Sequence, residues 1–192
     1  MDTFEKYMNL DIDASLIGLE RGSEDGGYFC TPVGAKVFGR ESGIHYCFIE
    51  GYGDMVFAVN PMPWKDDYVY PLAENFRDLL KLILYAGSIT VIEQIVWFSK
   101  EQFEMFIKSE DNKFVIGQAE VLDVIRKEFN ISPVSDAYDY VKALQKDFDD
   151  SKIKYTDEYY DILGIPYPDG RQVECQGAEF SEVTFEINIT EE

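Results

Sequence analysis

The sequence predicts an α+β fold, with an antiparallel sheet in the N-terminal part flanked by helices and a helical C-terminal part carrying one late strand. Three observations lead there. Between residues 31 and 70 the chain runs in short apolar bursts, rich in aromatic and β-branched residues and separated by glycine, which is strand texture. After Pro71 the apolar residues recur at three and four instead, which places them on helix faces. Near the end, Val183, Phe185, Ile187 and Ile189 alternate with Glu182, Thr184, Glu186 and Asn188, the pattern of a half-exposed strand. Strands followed by a run of helices argue for α+β and against a doubly wound parallel sheet.

The first thirty residues read as turn-rich, with Arg21 to Gly27 a surface loop. Thr31 to Phe38, Ile44 to Glu50 and Asp54 to Val59 are the main strand candidates, too short for ordinary helices. Gly51 and Gly53 separate the last two. They lack the third glycine and the lysine of a phosphate loop, and strand material follows them, so they read as a hairpin turn. Tyr68 to Tyr70 is a fourth short strand, ended by Pro71. Leu72, Phe76, Leu79, Leu80, Ile83 and Leu84 share one helix face, and Gly87 ends that helix. Ser88 caps a second helix. Ser99-Lys100-Glu101-Gln102 is a capping box opening a third. A fourth runs from Gln118 to Phe129. Ser132 or Ser135 caps a fifth, which carries Tyr138, Val141, Leu144 and Phe148, and Thr156 to Leu163 makes a short sixth. A boundary near residue 112 divides a sheet-containing part, 1–112, from a helical extension, 113–192. No linker-like composition marks it, so the two parts also read as one continuous domain.

Charge narrows the functional classes. Asp and Glu number 37 against 17 Lys and Arg, a net charge of −20. Such a field repels nucleic-acid phosphates and anionic lipid and attracts basic partners. There is no basic stripe and no Cys/His finger, so neither nucleic acid nor membrane is expected as a partner. Three widely spaced cysteines, Cys30, Cys47 and Cys175, suggest reduced thiols and a cytoplasmic location. The acidic N-terminal stretch reads as neither a signal peptide nor an anchor. Cysteine and histidine spacing fits no zinc site, neither acidic cluster (Asp147, Asp149, Asp150; Asp157, Glu158, Asp161) has the order of a calcium loop, and no cofactor is expected.

Two chemistries remain open. The only histidine, His45, stands two residues before Cys47 and would share its strand face, the raw material of a nucleophile–base pair. A carboxylate pair brought together in three dimensions is the other enzymatic option. Against these stands a binding surface. Tyr52, Asp54, Trp64, Asp66, Asp67 and Tyr70 cluster around the hairpin and the loop after Asn60, combining aromatic area with negative charge. That composition suits recognition of a basic protein. A third option is an adaptor whose helices from 88 to 110 pack on a larger assembly.

Two stretches also carry a family resemblance. Gly53-Asp54-Met55-Val56-Phe57-Ala58-Val59-Asn60 and Leu72-Ala73-Glu74-Asn75-Phe76-Arg77-Asp78-Leu79-Leu80 resemble the core of the SUKH superfamily, the cell-wall-synthesis regulators and bacterial immunity proteins. In that family a Gly- and Asp-containing hairpin leads into a strand ending in Asp or Asn. A variable loop, a short strand and a Phe-x-x-Leu-Leu helix follow. The resemblance implies a compact α+β domain and a non-enzymatic role, commonly binding a toxin domain inside the producing bacterium, with no catalytic residues carried over.

Overall fold

The computed structural model describes residues 2–22, 26–63, 67–109 and 115–173. Five antiparallel strands lie in chain order: β1 (Glu20–Arg21), β2 (Ala35–Glu41), β3 (Ile44–Ile49), β4 (Val56–Val59) and β5 (Val69–Ala73). Helix α1 (Thr3–Met8) precedes them. Helices α2 (Phe76–Ala86), α3 (Ile89–Trp97), α4 (Lys100–Ile107), α5 (Gln118–Phe129), α6 (Ala137–Lys146) and α7 (Asp157–Leu163) follow. The α+β class and the antiparallel sheet expected from the sequence are both present. The expected strand at 183–189 lies outside the described residues.

Period-two alternation sorts the strand residues onto two faces. Tyr46, Val56, Ala58, Tyr70 and Leu72 face the helices and join a core that runs on to Phe129 and Val141. Residues on both sides of position 112 therefore share one buried cluster. Cys47, Ile49, Phe57 and Val59 face the other way. There Cys30 completes a second buried cluster, under Tyr28, Phe29, Phe148 and Tyr159. All four residues of β4 are consequently buried, which explains its unbroken apolar sequence.

Local chemistry fixes the helix ends. The Asn75 and Ser88 side chains accept from Asp78 N and Thr90 N at the starts of α2 and α3. The capping box at Ser99 and Gln102 opens α4 as expected. Helices α2 and α3 meet at 90° across Gly87, whose φ is +89°. No single helix among the described residues is long and apolar enough to cross a membrane.

Several expectations need correction. The first thirty residues hold α1, a 3-10 turn (Ala14–Ile17) and β1. Six residues are too few for a helical period to show, and α1 is held by tertiary contact instead. Phe4 packs edge-on against Phe38, Phe48 and Phe76 at 5.1–5.3 Å. Pro71 does not end β5. It pairs with Phe57 beside a register shift, a tolerated position because β5 is an edge strand and its proline need not donate. Leu72 is therefore strand, and α2 begins at Phe76. Helix α6 is capped by Asp136, which accepts from Asp139 N, and not by Ser132 or Ser135.

Candidate functional site

Gly51 and Gly53 have φ of +92° and +63°, left-handed values that glycine adopts without steric cost. They let the chain reverse between β3 and β4 and hold Tyr52 between them. The Tyr52 ring turns back over the sheet. Its centroid is 5.2 Å from Phe57 and 5.4 Å from Phe148, and its hydroxyl donates to the Asp149 carbonyl at 2.8 Å. The hairpin is thus tied to the segment that follows α6.

Helix α6 packs along β5 and forms the opposite wall. The Tyr140 hydroxyl accepts from Glu74 N at 3.0 Å and donates to Asp78 Oδ2 at 3.3 Å. Between the walls runs a groove of about 410 Å³, with Tyr52, Leu144 and Phe148 as its apolar lining and Glu74, Asp147 and Asp149 as its carboxylates. Among the described residues Lys152 is the one cation in the lining, its ammonium 5.8 Å from the Tyr52 ring centroid. Hydrogen bonds from the Ser151 hydroxyl and backbone N–H hold the Asp149 carboxyl below its usual range, so it stays ionised. Burial pushes the Tyr52 phenol up, reinforced by the Asp149 and Asp150 carboxylates, so it stays neutral.

The residues expected at a binding surface do not form one patch. Tyr52 and the exposed Asp54 sit at the hairpin. Asp67, also exposed, lies at the other end of β4, a separation of roughly 13 Å for four residues in a strand. Tyr70 is 4% exposed and belongs to the core under α3, because its position in β5 points it at the helix face. It is not a surface contact. Trp64 and Asp66 lie outside the described residues. Glu74, Asp147 and Asp149 join Tyr52 instead. The sequence assigns Glu74 no role, and Asp147 and Asp149 are exposed carboxylates on the groove rim. The missing signal was the antiparallel return of β5, which brings residue 74 back to the hairpin end.

The catalytic alternative fares differently. His45 and Cys47 do share one sheet face, but that face is covered. His45 is 4% exposed and stacks on Tyr28 at 4.2 Å. Burial, then the charge of Arg40, holds its imidazole below the usual value. Burial pushes the Cys47 thiol up to about 12. A thiol this reluctant to ionise, with no route to solvent, is no nucleophile. Among the described residues no group of three or more His, Cys, Asp and Glu side chains could hold a metal ion.

The second acidic cluster is engaged internally. Asp157 takes the Arg171 guanidinium at 3.1 and 3.2 Å, and Asp161 accepts from the Tyr167 hydroxyl. Tyr159 stacks on Tyr155 at 3.9 Å and helps close the second face of the sheet. Over the helices from 88 to 110, Ile89, Val91, Ile92 and Ile95 of α3 are buried in the core, whereas Met105 of α4 is exposed. Comparison with protein-family models, curated proteins and solved structures finds no match.

Proposed function

We propose that this chain is a non-enzymatic binding protein that masks a basic protein partner, with the groove at Tyr52 as the docking site. One observation carries the reading. Three carboxylates rim an aromatic floor on a chain of net charge −20, so the long-range field and the local site favour the same sign of partner. A lysine or arginine side chain entering the groove meets both carboxylate and π-face, the two groups that hold cations best. The field itself accelerates encounter, by 10- to 1,000-fold in steered systems.

The reading extends to an immunity-type role against a basic toxin domain in the cytoplasm. The order of elements supports it: hairpin, β4 closing at Asn60, a loop, β5 and a helix opening Phe76-x-x-Leu79-Leu80, as in the SUKH resemblance. Cys30 and Cys47, both buried free thiols, are compatible with a reducing compartment.

A fluorescently labelled octalysine peptide provides the probe. The groove variant Glu74→Gln/Asp147→Asn/Asp149→Asn is compared with a control of equal charge change on exposed sites elsewhere, Glu5→Gln/Glu104→Gln/Glu120→Gln. At about 0.2–1 kcal/mol per exposed charge contact, the groove variant is expected to bind roughly tenfold more weakly than the control. Equal affinities in the two variants would remove the groove from the account.

A further inference from the structure

Glu93 lies inside the core, 3% exposed. Helix α3 seats it against the helix-side face of the sheet, opposite Tyr46 of β3 and Tyr70 of β5, themselves 0% and 4% exposed. Among the described residues, Glu93 Oε1 and the hydroxyls of Tyr46 and Tyr70 make no hydrogen bond of ordinary geometry; the Tyr46 hydroxyl lies within looser reach of the Glu93 carboxyl, and the Tyr70 hydroxyl within that of Asn60. Buried polar groups are nearly always paired, because leaving them unpaired is costly. A buried carboxyl held by one loosely placed phenol marks a place where the interior is poised rather than settled.

Among the described residues no cation offsets the carboxyl. The charge acting on it is that of Glu41 on β2, of the same sign, and the other titratable neighbours are the two tyrosines. The lysines of the helices packed on α3 are directed elsewhere. Lys142 of α6 donates to the Val96 carbonyl at 3.2 Å. Lys100 of α4 is held by Asp136 and Asp139, and Lys81 of α2 by Asp78. Ionised, Glu93 would be a charge in an apolar layer with only the Tyr46 hydroxyl to favour it, so burial outweighs that contact and pushes the carboxyl up to about 8. At neutral pH it is mostly the neutral acid.

The cluster also has a path outward. Trp97 stands one turn beyond Glu93 on the same side of α3. Its ring meets Tyr70 edge-on at 6.1 Å. With Asn60, Gln94 and Phe98 it lines an open groove of about 590 Å³, separate from the groove at Tyr52.

We propose that Glu93, Tyr46 and Tyr70 form a proton-operated latch between α3 and the sheet. With its proton, the carboxyl lies neutral between the two phenols and α3 stays seated. When the proton leaves to bulk water, the carboxylate draws in solvent, the C-terminal turn of α3 lifts, and the groove beside Trp97 changes shape. This inference is independent of what binds at Tyr52.

The chain has two tryptophans, so a Trp64→Phe background isolates Trp97 as the reporter. Its emission is followed from pH 6 to 9.5, with and without Glu93→Gln. The expected result is a red shift with its midpoint near pH 8, absent in the Gln variant. The same pH profile with and without Glu93, or no transition in either, would overturn the latch. Carbon-13 NMR of the Glu93 carboxyl in the unaltered chain gives a second reading that needs no substitution. Titration above pH 7 supports the latch, and titration near 4.5 overturns it.

Discussion

Phe57→Ala is expected to destabilise the protein by about 3–5 kcal/mol, the range for removing a fully buried phenylalanine. Phe57 is 0% exposed. On an ordinary two-layer α+β sheet, the face away from the helices is solvated, and truncating a side chain there costs little. Here that face is roofed by Phe148, 5.5 Å from the Phe57 ring, and by Tyr52. Alanine would leave a cavity under the roof, because the Tyr52 ring is tied in place by its hydrogen bond to the Asp149 carbonyl. The same ring underlies the docking groove, so the substitution should also weaken peptide binding. Urea unfolding followed by circular dichroism measures the loss. A cost below about 0.5 kcal/mol, the range of ordinary surface positions, would mean that the second face of the sheet is not packed.

Glu93→Gln is expected to change how stability depends on pH. The Glu93 carboxyl is pushed from 4.5 up to about 8 in the folded protein, so between those values the folded state holds a proton that the unfolded chain has released. Stability therefore falls as pH rises through this window, by about 1.4 kcal/mol per unit from this one group. Below the window both states are protonated, and above it both are ionised, so the slope vanishes at each end. Carboxylates held below their usual range, such as Asp136 and Asp149, act in the opposite sense, and their contribution is lost in acid. Glutamine keeps the shape and removes the titration. The stability gap between the variant and the unaltered chain should widen in favour of the variant by about 3 kcal/mol between pH 5 and 7.5. Parallel stability curves for the two chains would show that Glu93 titrates normally.

The strands and most helices were legible because their signals are local. Glycine-bounded aromatic bursts marked β2, β3 and β4. Ser88, Ser99 and Gln102 announced helix starts with their own side chains. What escaped depends on contacts between distant residues. Helix α1 is formed from six residues that earn their place by packing Phe4 and Tyr7 on Phe76. Pro71 looked like a stop because a strand interior forbids proline, whereas an edge does not.

The site was half legible for the same reason. Tyr52 stood out by its glycines, but nothing near it in sequence marks Asp149, ninety-seven residues away. Tyr70 shows the converse error. An aromatic beside acidic residues in sequence looks like a surface anchor, and only the face assignment of β5 reveals it as core. The buried Glu93 had no sequence signature beyond a lone acid in an apolar helix.

The central claim is that a basic partner docks in the groove between the β3–β4 hairpin and α6. Backbone amide chemical shifts of the labelled protein, recorded as octalysine is added, test it most directly. The account predicts saturable shifts concentrated at residues 50–55, 74 and 140–152, weakening as salt is raised. Shifts centred on α4, α5 or α7, or spread thinly over every acidic surface without saturation, would contradict it.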